Sequence, residues 1–276
     1  MLVSLNEVLF DAQKKHYAVG LFNTIDTDSL EAVIEAAERK RSPVIIGTAE
    51  VLLPYGDLKL IAPSTVEMAK RASVPVVAHY DHGTTFERCM EALRFGFSSV
   101  MFDGSIKPYE QNIAQTREIV RIAHTFGATV EGEIGHVGSA EHDEDQSRYT
   151  TVEEAKQYLS DTSVDALAIA IGTAHGAYRS APKLSFERLR EIRSAVDVPL
   201  VLHGGSGLSD QDFIQSIADG IAKVNIFTDL CLAGMEGQKE AIRQGLDYLK
   251  ARNLKKDFIR NAVERKMELF SSVGKA

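Results

Sequence analysis

The chain has 276 residues, 44% of them hydrophobic and 25% charged, which is the composition of an ordinary globular protein with a sizeable core. Its formal net charge is −8, without any basic run, and this argues against a nucleic-acid partner or an anionic membrane surface. The two cysteines, Cys89 and Cys231, are far apart in sequence, so neither a disulfide framework nor a cysteine-based zinc site is expected. With no signal-peptide pattern and no apolar run near the ~18 residues of a membrane span, we expect a cytoplasmic protein.

Short apolar runs alternate with longer amphipathic stretches from one end of the chain to the other. Runs that are this continuously apolar are typical of parallel strands covered by helices. In chain order, the eight predicted strands are Tyr17–Phe22, Val44–Gly47, Val76–His79, Ser99–Phe102, Ala128–Glu131, Ala166–Ile171, Pro199–His203 and Ile221–Ile226.

The stretches between these strands have the period of a helix. Two of them place apolar residues on a single face, namely Leu30, Val33, Ile34 and Ala37 in one stretch and Phe186, Leu189, Ile192 and Val196 in the other. Thr151 with Glu154 predicts a capping box, and Ser209 before Asp212 predicts the start of another helix.

Eight successive strand–helix units predict a TIM (β/α)8 barrel, with a doubly wound open sheet as the alternative. No composition shift or linker divides the sequence, so we expect residues 1–276 to form a single domain. The charged, amphipathic stretch from about residue 246 to 276 predicts extra C-terminal helices that pack against the barrel or a partner subunit.

Polar residues stand at or just beyond the carboxyl ends of the predicted strands, the end of a TIM barrel that carries the active site. They are Asn23, Thr48, Asp81, His82, Asp103, Glu133, His175, His203, Asn225 and Thr228. Imidazole is the commonest ligand of a catalytic metal, and three protein ligands leave zinc one position open for a substrate. His82, His175 and His203 therefore predict a metal site, whereas His79 is expected to point into the barrel wall.

A glycine-rich segment, Leu202–Leu208, follows the seventh strand, and another polar segment follows the eighth. Gly204 and Gly205 let backbone N–H groups approach an anion, and Ser206 and Thr228 add hydroxyl donors. The loops after strands seven and eight commonly bind phosphate in TIM barrels. The sequence therefore predicts a phosphate site here, although the glycines match neither the dinucleotide-binding fingerprint nor the P-loop.

These residues together resemble the class II, zinc-dependent ketose-bisphosphate aldolases, the family of the fructose- and tagatose-bisphosphate aldolases. The similarity runs from about Val19 to Thr228. The motifs that carry it are Tyr80–His82, Met101–Ser105, Val130–Gly135, Ile171–Gly176, His203–Gly207 and Asn225–Thr228.

The resemblance implies a metal-dependent aldolase, a lyase of carbohydrate metabolism. Such an enzyme reversibly cleaves a ketose 1-phosphate or ketose 1,6-bisphosphate into dihydroxyacetone phosphate and an aldehyde. The resemblance also implies one Zn²⁺ per subunit, held by His82, His175 and His203, with Asp103 and Glu133 as alternative metal contacts.

Further roles follow from the same resemblance. Asp81 matches the acid/base that acts on the C4 hydroxyl, and Glu141, in the long polar loop 134–150, matches a glutamate that helps move the proton at the nucleophilic carbon. The implied substrate- and phosphate-binding residues, with Gly205 added from the glycine-rich segment, are Asn23, Thr48, Gly176, Gly204, Gly205, Ser206, Asn225 and Thr228. A monovalent cation (Na⁺ or K⁺) and a homodimer or homotetramer are also implied.

The aldehyde end departs from the family pattern. Phe227 stands where fructose-type members have an aspartate and tagatose-type members have a small residue. The segment Thr48–Gly56 replaces the usual stretch of small residues. Arg179 is the candidate for the arginine that binds the distal phosphate of a bisphosphate substrate. Our hypothesis is an aldehyde half other than a triose phosphate.

Three other functions remain open from the residues alone. A class I aldolase would need Lys223, the lysine within a predicted strand, as its nucleophile. A zinc-dependent hydrolase of a phosphorylated small molecule would use the three histidines to activate water. A non-catalytic aldolase-like subunit would keep the fold without the activity.

Overall fold

Eight parallel strands form a closed barrel in the computed structural model, which describes residues 1–135, 137, 149–176, 178 and 182–276. The strands are β1 (Val19–Asn23), β2 (Val44–Ala49), β3 (Val76–Gly83), β4 (Ser99–Phe102), β5 (Thr129–Ile134), β6 (Ala166–Ile169), β7 (Leu200–Leu202) and β8 (Ile221–Ile226). Each strand pairs with the next, and β8 pairs with β1, where Lys223 lies opposite Val19. The predicted TIM barrel is confirmed, and the closed sheet excludes the doubly wound alternative.

Helices surround the barrel and close one of its ends. They are α1 (Leu5–Lys15), α2 (Thr27–Lys40), α3 (Leu58–Arg71), α4 (Phe86–Phe95), α5 (Tyr109–Thr125), α6 (Val152–Thr162), α7 (Phe186–Ala195), α8 (Asp210–Ala218), α9 (Thr228–Arg243) and α10 (Tyr248–Leu269). A 3₁₀ turn, Glu50–Leu52, follows β2 directly. Thr151 forms the predicted capping box of α6, and α8 begins after Ser209 as predicted, with a capping box there as well.

β3 and β5 are longer than predicted. The apolar runs end at His79 and Glu131, but backbone pairing continues beyond both residues. Asp81 lies opposite Ala49 of β2, and Glu133 is still in register with β6. Strand pairing depends on the backbone of the neighbouring strand and not on apolar side chains. Asp81 and Glu133 therefore lie on hydrogen-bonded strands and not on loops.

The apolar core has two parts. One fills the layer between the strands and the outer helices and includes Leu30 and Val33 of α2. The other lies at the amino ends of the strands, where Leu5 and Leu9 of α1 are fully buried in the cluster that closes the barrel. The cavity described below lies at the opposite end, where the carboxyl ends of the strands meet.

The predicted C-terminal helices pack on the barrel. α10 lies against α9 and α2 and buries Ile259, Val263 and Met267. Lys256 of α10 bonds to Glu35 of α2 at 3.1 Å. Among the described residues, no helix is both long enough and apolar enough to cross a membrane.

Candidate active site

A cavity of about 140 Å³ opens at the carboxyl ends of the strands. Its described wall is formed by Asn23, Ala49, Val51, Leu52, Asp81, His82, His175, Gly176, Gly204, Gly205, Ser206, Asn225, Ile226, Phe227 and Thr228. Because the barrel is closed, six strand ends that are distant in sequence contribute to one site.

Three histidines cluster at the carboxyl ends of β3, β6 and β7, and two of them, His82 and His175, line this cavity. One ring nitrogen each of His82, His175 and His203 lies within 4.8 Å of the others, and His82 Nε2 is 2.8 Å from His203 Nδ1. The opposite nitrogens are already engaged: His82 Nδ1 lies 2.8 Å from Asp103 Oδ2, and His203 Nε2 lies 2.8 Å from Glu131 Oε1. One nitrogen of each of these two rings is thus engaged by a carboxylate, and the other nitrogen faces the point shared by the three histidines.

His175 follows the same arrangement. It is hydrogen-bonded to the backbone of Val137, while its Nε2 is buried without a partner among the described residues. An unpaired buried nitrogen is costly, and a metal ion would provide its partner. Histidines that bind metals typically hold their second nitrogen with a carboxylate or a backbone carbonyl. The three residues therefore fit a zinc ion with one coordination position open.

The charges around His82 also suit a cation. Burial disfavours the imidazolium form, but the carboxylates of Asp81, Asp103 and Glu133 outweigh it and raise the pKa of His82 to about 10. The negative surroundings that favour a proton on this ring equally favour a metal ion beside it.

A second group of potential metal ligands shares one of these histidines. The ligand atoms of His82, Asp103 and Glu133 all lie within 4.8 Å of one another. Burial, reinforced by Asp103, raises the pKa of Glu133 to about 8, and Glu133 Oε2 is buried without a hydrogen-bond partner among the described residues. This placement is compatible with alternative metal contacts from both carboxylates.

Asp81 lies in the cavity wall next to the histidines and is almost completely buried. Its carboxylate accepts hydrogen bonds from Asn23 Nδ2 at 2.8 Å and from Asn225 Nδ2 at 3.1 Å. Burial alone would raise the pKa of this carboxyl, but the positive charges of His82 and Lys223 hold it well below its usual range. Asp81 is therefore an ionised carboxylate, oriented by two amides and suited to accept a proton.

An ion pair that sequence reasoning missed lies beneath the histidines. Lys223 Nζ donates to Glu131 Oε2 at 2.7 Å, and both side chains are fully buried. Glu131 therefore connects the lysine to His203. The available signal was a pair of opposite charges, each within a strand whose residues are all buried. Because Lys223 is held by this carboxylate, it is poorly suited to be the nucleophile of a class I aldolase.

His79 was also not assigned to the site from the sequence. Its ring is completely buried, with Nδ1 2.8 Å from Ser99 Oγ and Nε2 3.7 Å from Asp81 Oδ1. Burial, together with the charge of Lys223, lowers the pKa of His79 to about 3, so the ring is neutral. It belongs to the polar group beneath Asp81, and its contacts explain why a polar side chain occupies this position of β3.

The phosphate site predicted from the sequence falls on the loop after β7 and the start of α9. Ser206 Oγ accepts hydrogen bonds from the backbone N–H groups of Phe227 at 3.2 Å and Asp229 at 3.4 Å. α9 begins at Thr228, so its positive dipole end faces the cavity that Ser206 and Thr228 line. This environment favours an anion.

The loops after β6 and β7 touch each other directly. Gly204 has a φ of 66°, and a Cβ atom there would lie 2.4 Å from the carbonyl oxygen of Ala174, so only glycine fits. The Tyr178 hydroxyl accepts from Ala174 N and donates to Gly204 O, both at 2.8 Å. Tyr178 thus joins the loops that carry His175 and His203, a role that the sequence did not indicate.

Of the other predicted site residues, Asn23, Gly176 and Asn225 line the cavity. Thr48 is buried but is not part of the lining, and its neighbour Ala49 occupies the wall. Glu141 and the phosphate candidate Arg179 lie outside the described residues.

Comparison with known proteins points to one family. The family model described as fructose-bisphosphate aldolase class-II matches residues 3–275. The chain is 42% identical to the YdjI protein of Escherichia coli K12 over 269 residues, 96% of each chain. The crystal structure of YdjI aldolase matches with a TM-score of 0.90 and 38% identity over 100% of both chains.

Two other relatives carry different names. The 6-phospho-5-dehydro-2-deoxy-D-gluconate aldolase of Bacillus licheniformis is 38% identical over 281 residues, 99% of this chain and 96% of that protein. The fructose-bisphosphate aldolase of Staphylococcus aureus is 35% identical over 283 residues, 100% of this chain and 99% of that protein.

Proposed function

Because the chain belongs to the class-II fructose-bisphosphate aldolase family, we propose that it is a zinc-dependent aldolase. Its reaction would be the reversible cleavage of a ketose 1-phosphate or ketose 1,6-bisphosphate into dihydroxyacetone phosphate and an aldehyde. The observation that carries this proposal is the group of three histidines beside an ionised aspartate. In each of His82, His175 and His203, one ring nitrogen contacts a carboxylate or a backbone group. The other nitrogen of His175, Nε2, is buried and lacks a partner among the described residues.

A zinc ion held by the three histidines would act as a Lewis acid that stabilises negative charge developing on substrate oxygens. In the cleavage direction, Asp81 accepts the proton of the C4 hydroxyl. The C4 oxygen then becomes a carbonyl, the C3–C4 bond breaks, and its electron pair stays with the dihydroxyacetone phosphate half. The former C3 then takes up a proton, the transfer in which Glu141 is proposed to assist, to give dihydroxyacetone phosphate. Asn23 and Asn225 keep the carboxylate aimed at this hydroxyl through their amide hydrogen bonds.

The phosphate of the dihydroxyacetone half is assigned to the loop after β7 and the N-terminus of α9. Ser206 Oγ accepts hydrogen bonds from two backbone N–H groups, and its hydroxyl hydrogen would be donated to the anion. Gly204 and Gly205 allow close approach of the backbone. A monovalent cation beside this phosphate, Na⁺ or K⁺, is part of the proposal.

The aldehyde half is the part in which the named relatives differ, since one is called a fructose-bisphosphate aldolase and another a deoxygluconate-phosphate aldolase. In addition to Asp81, the described cavity wall carries the apolar residues Val51, Leu52 and Phe227 and no lysine or arginine. This lining supports an aldehyde other than a triose phosphate.

We further propose that the enzyme is a cytoplasmic homodimer or homotetramer. Large apolar side chains are exposed on α9 and at the start of α10, namely Leu232, Met235, Ile242, Tyr248 and Leu249. Exposed apolar groups of this size commonly mark a surface that another subunit covers.

The test avoids the unknown aldehyde. Purified protein is incubated with dihydroxyacetone phosphate in D₂O, and exchange of a hydroxymethyl proton is followed by NMR. We expect exchange that stops with a chelator and returns with Zn²⁺, and that is absent in His175→Ala at any zinc concentration. Addition of Zn²⁺ to metal-free protein should also raise its melting temperature, because the ligand binds the folded state. A zinc-loaded wild-type protein that exchanges no proton would contradict the proposal.

A further inference from the structure

Asp81 and His82 are consecutive residues of β3, and both side chains line the cavity. In a regular strand, neighbouring side chains point to opposite faces of the sheet. The chain avoids this alternation with a bend: His82 has a φ of 51°, and the register with β4 shifts between Tyr80 and Gly83. A non-glycine residue in the left-handed region is strained and persists only where its surroundings hold it.

Glu50 contacts the chain on both sides of this bend. Glu50 Oε2 accepts hydrogen bonds from Tyr80 Oη at 3.0 Å and from Thr84 N at 2.9 Å, while Glu50 Oε1 accepts from Thr84 Oγ1 at 2.6 Å. One carboxylate therefore fixes a residue two positions before His82 and a residue two positions after it.

The position of Glu50 follows from the sheet. β2 pairs with β3 as far as Ala49, which lies opposite Asp81, and the 3₁₀ turn begins at Glu50. Glu50 therefore lies directly after β2, at the same level of the barrel as the bend at His82. The Tyr80 ring is fully buried, and burial together with the charge of Glu50 raises the pKa of its hydroxyl, so this group remains a donor.

We propose that Glu50 is a positioning residue, whose carboxylate holds the left-handed bend at His82 and thereby presents Asp81 and His82 to the same cavity. The inference rests on the proposed function, because it treats His82 as a metal ligand and Asp81 as the acid/base. The inference also gives a role to the segment after β2. Glu50, its first residue, holds β3 in place, while Val51 and Leu52 line the cavity.

The test compares two substitutions at one position. Glu50→Met keeps the length of the side chain but removes both acceptors. Glu50→Gln keeps the interaction, because its amide oxygen replaces Oε2 and its NH₂ group donates to Thr84 Oγ1. The matched control is Glu7→Met, since Glu7 accepts from Ser4 N at 2.7 Å and Ser4 Oγ at 2.8 Å at the start of α1, at the opposite end of the barrel.

Zinc affinity of the metal-free protein is measured by competition with a chelator, and the visible absorption of the Co²⁺-loaded protein reports the geometry of the ligands. We expect Glu50→Met to weaken zinc binding about tenfold, the lower end of the range for groups that orient metal ligands, and to change the Co²⁺ spectrum. Glu50→Gln should restore both properties, and Glu7→Met should leave both unchanged.

A folded Glu50→Met protein with wild-type zinc affinity and an unchanged Co²⁺ spectrum would overturn the inference while the proposed function stands. If Glu50→Met does not fold, Tyr80→Phe and Thr84→Val each remove one hydrogen bond and should weaken zinc binding in the same direction; no change in either would overturn it. In a double mutant cycle, Tyr80→Phe should have little further effect once Glu50 is Met, because the two groups act through one contact.

Failure of the proposed function gives a different pattern. In that case the wild-type protein itself binds no zinc and exchanges no proton. A crystal structure of Glu50→Met then decides the inference alone: loss of the left-handed φ at His82 supports it, and retention of that φ contradicts it.

Discussion

The two ends of the barrel consist of the same eight strands but carry opposite kinds of side chain. At the amino ends, Leu5 and Leu9 of α1 pack with Val19 of β1 and Val77 of β3 in an apolar cluster. At the carboxyl ends, the strands present histidines, carboxylates and amides around a cavity.

The side chains at the amino ends therefore contribute mainly to stability, and those at the carboxyl ends mainly to chemistry. Burial of apolar surface at the closed end is favourable in itself. At the carboxyl ends, burial has to be compensated group by group. The Asp81 carboxylate is hydrogen-bonded by two amides, and Tyr80 and Thr84, on either side of the strained residue His82, are hydrogen-bonded to Glu50. We therefore expect substitutions at the carboxyl ends to reduce activity and substitutions at the closed end to reduce stability.

The largest effect is expected from Asp81→Asn at the carboxyl ends. Without a proton acceptor for the C4 hydroxyl, the rate of aldol addition and cleavage should fall about 10²–10⁴-fold. Proton exchange of dihydroxyacetone phosphate does not involve C4 and should continue. Both rates are measured on the zinc-loaded protein, with an aldehyde selected by screening. Equal loss of both rates would show that Asp81 acts elsewhere in the reaction.

Lys223→Met tests the layer between the two ends. The substitution leaves the Glu131 carboxylate buried without its cation, which should lower the free energy of unfolding by about 3–5 kcal/mol. Urea denaturation measures the loss. Lys239→Met is the matched control, because Lys239 pairs with Glu236 at 2.7 Å on the surface and such pairs contribute at most about 1 kcal/mol. Similar losses in both variants would contradict the assigned burial.

Leu9→Ala tests the closed end. Removal of a fully buried leucine side chain should cost about 3 kcal/mol of unfolding free energy, with zinc affinity unchanged. Phe10, the next residue, is 48% exposed, so Phe10→Ala should cost much less. A change in zinc affinity in Leu9→Ala would show that the two ends are coupled.

The smallest effect is expected from Phe227→Ala. This side chain lies in the cavity wall and not on a reacting atom, so its loss should alter the choice of aldehyde by roughly tenfold, in line with the discrimination of an apolar pocket. Aldol addition rates with two aldehydes of different size give the ratio. Proton exchange of dihydroxyacetone phosphate is the internal control, and a decrease in exchange would place Phe227 at the phosphate end instead.

Much of the fold was predictable because its signals are local. Apolar runs and helical spacing gave the order of the elements, and Thr151 and Ser209 marked two helix starts correctly. The predicted ends of β3 and β5 were wrong. An apolar run stops at the first ionisable residue, whereas backbone pairing continues to Gly83 in β3 and to Ile134 in β5.

The site was predictable where residues stand at strand ends and less so where they lie within or between strands. Strand order alone brings His82, His175 and His203 to the same end of a barrel, so their convergence was expected from the sequence. Thr48 was placed in the site by position, yet Ala49 occupies the wall, since the pleat of β2 decides which of two neighbours faces inward.

The sequence by itself determined the repeated strand–helix units, the end of the barrel that carries polar groups, and the identity of the three histidines. Only the tertiary structure decided how those groups are held. Glu131 meets Lys223 across 92 positions and Glu50 meets Thr84 across 34, and no local pattern encodes such pairs. They arise because the barrel closes, which places side chains from separate strands at one depth and buries charges that must then find partners.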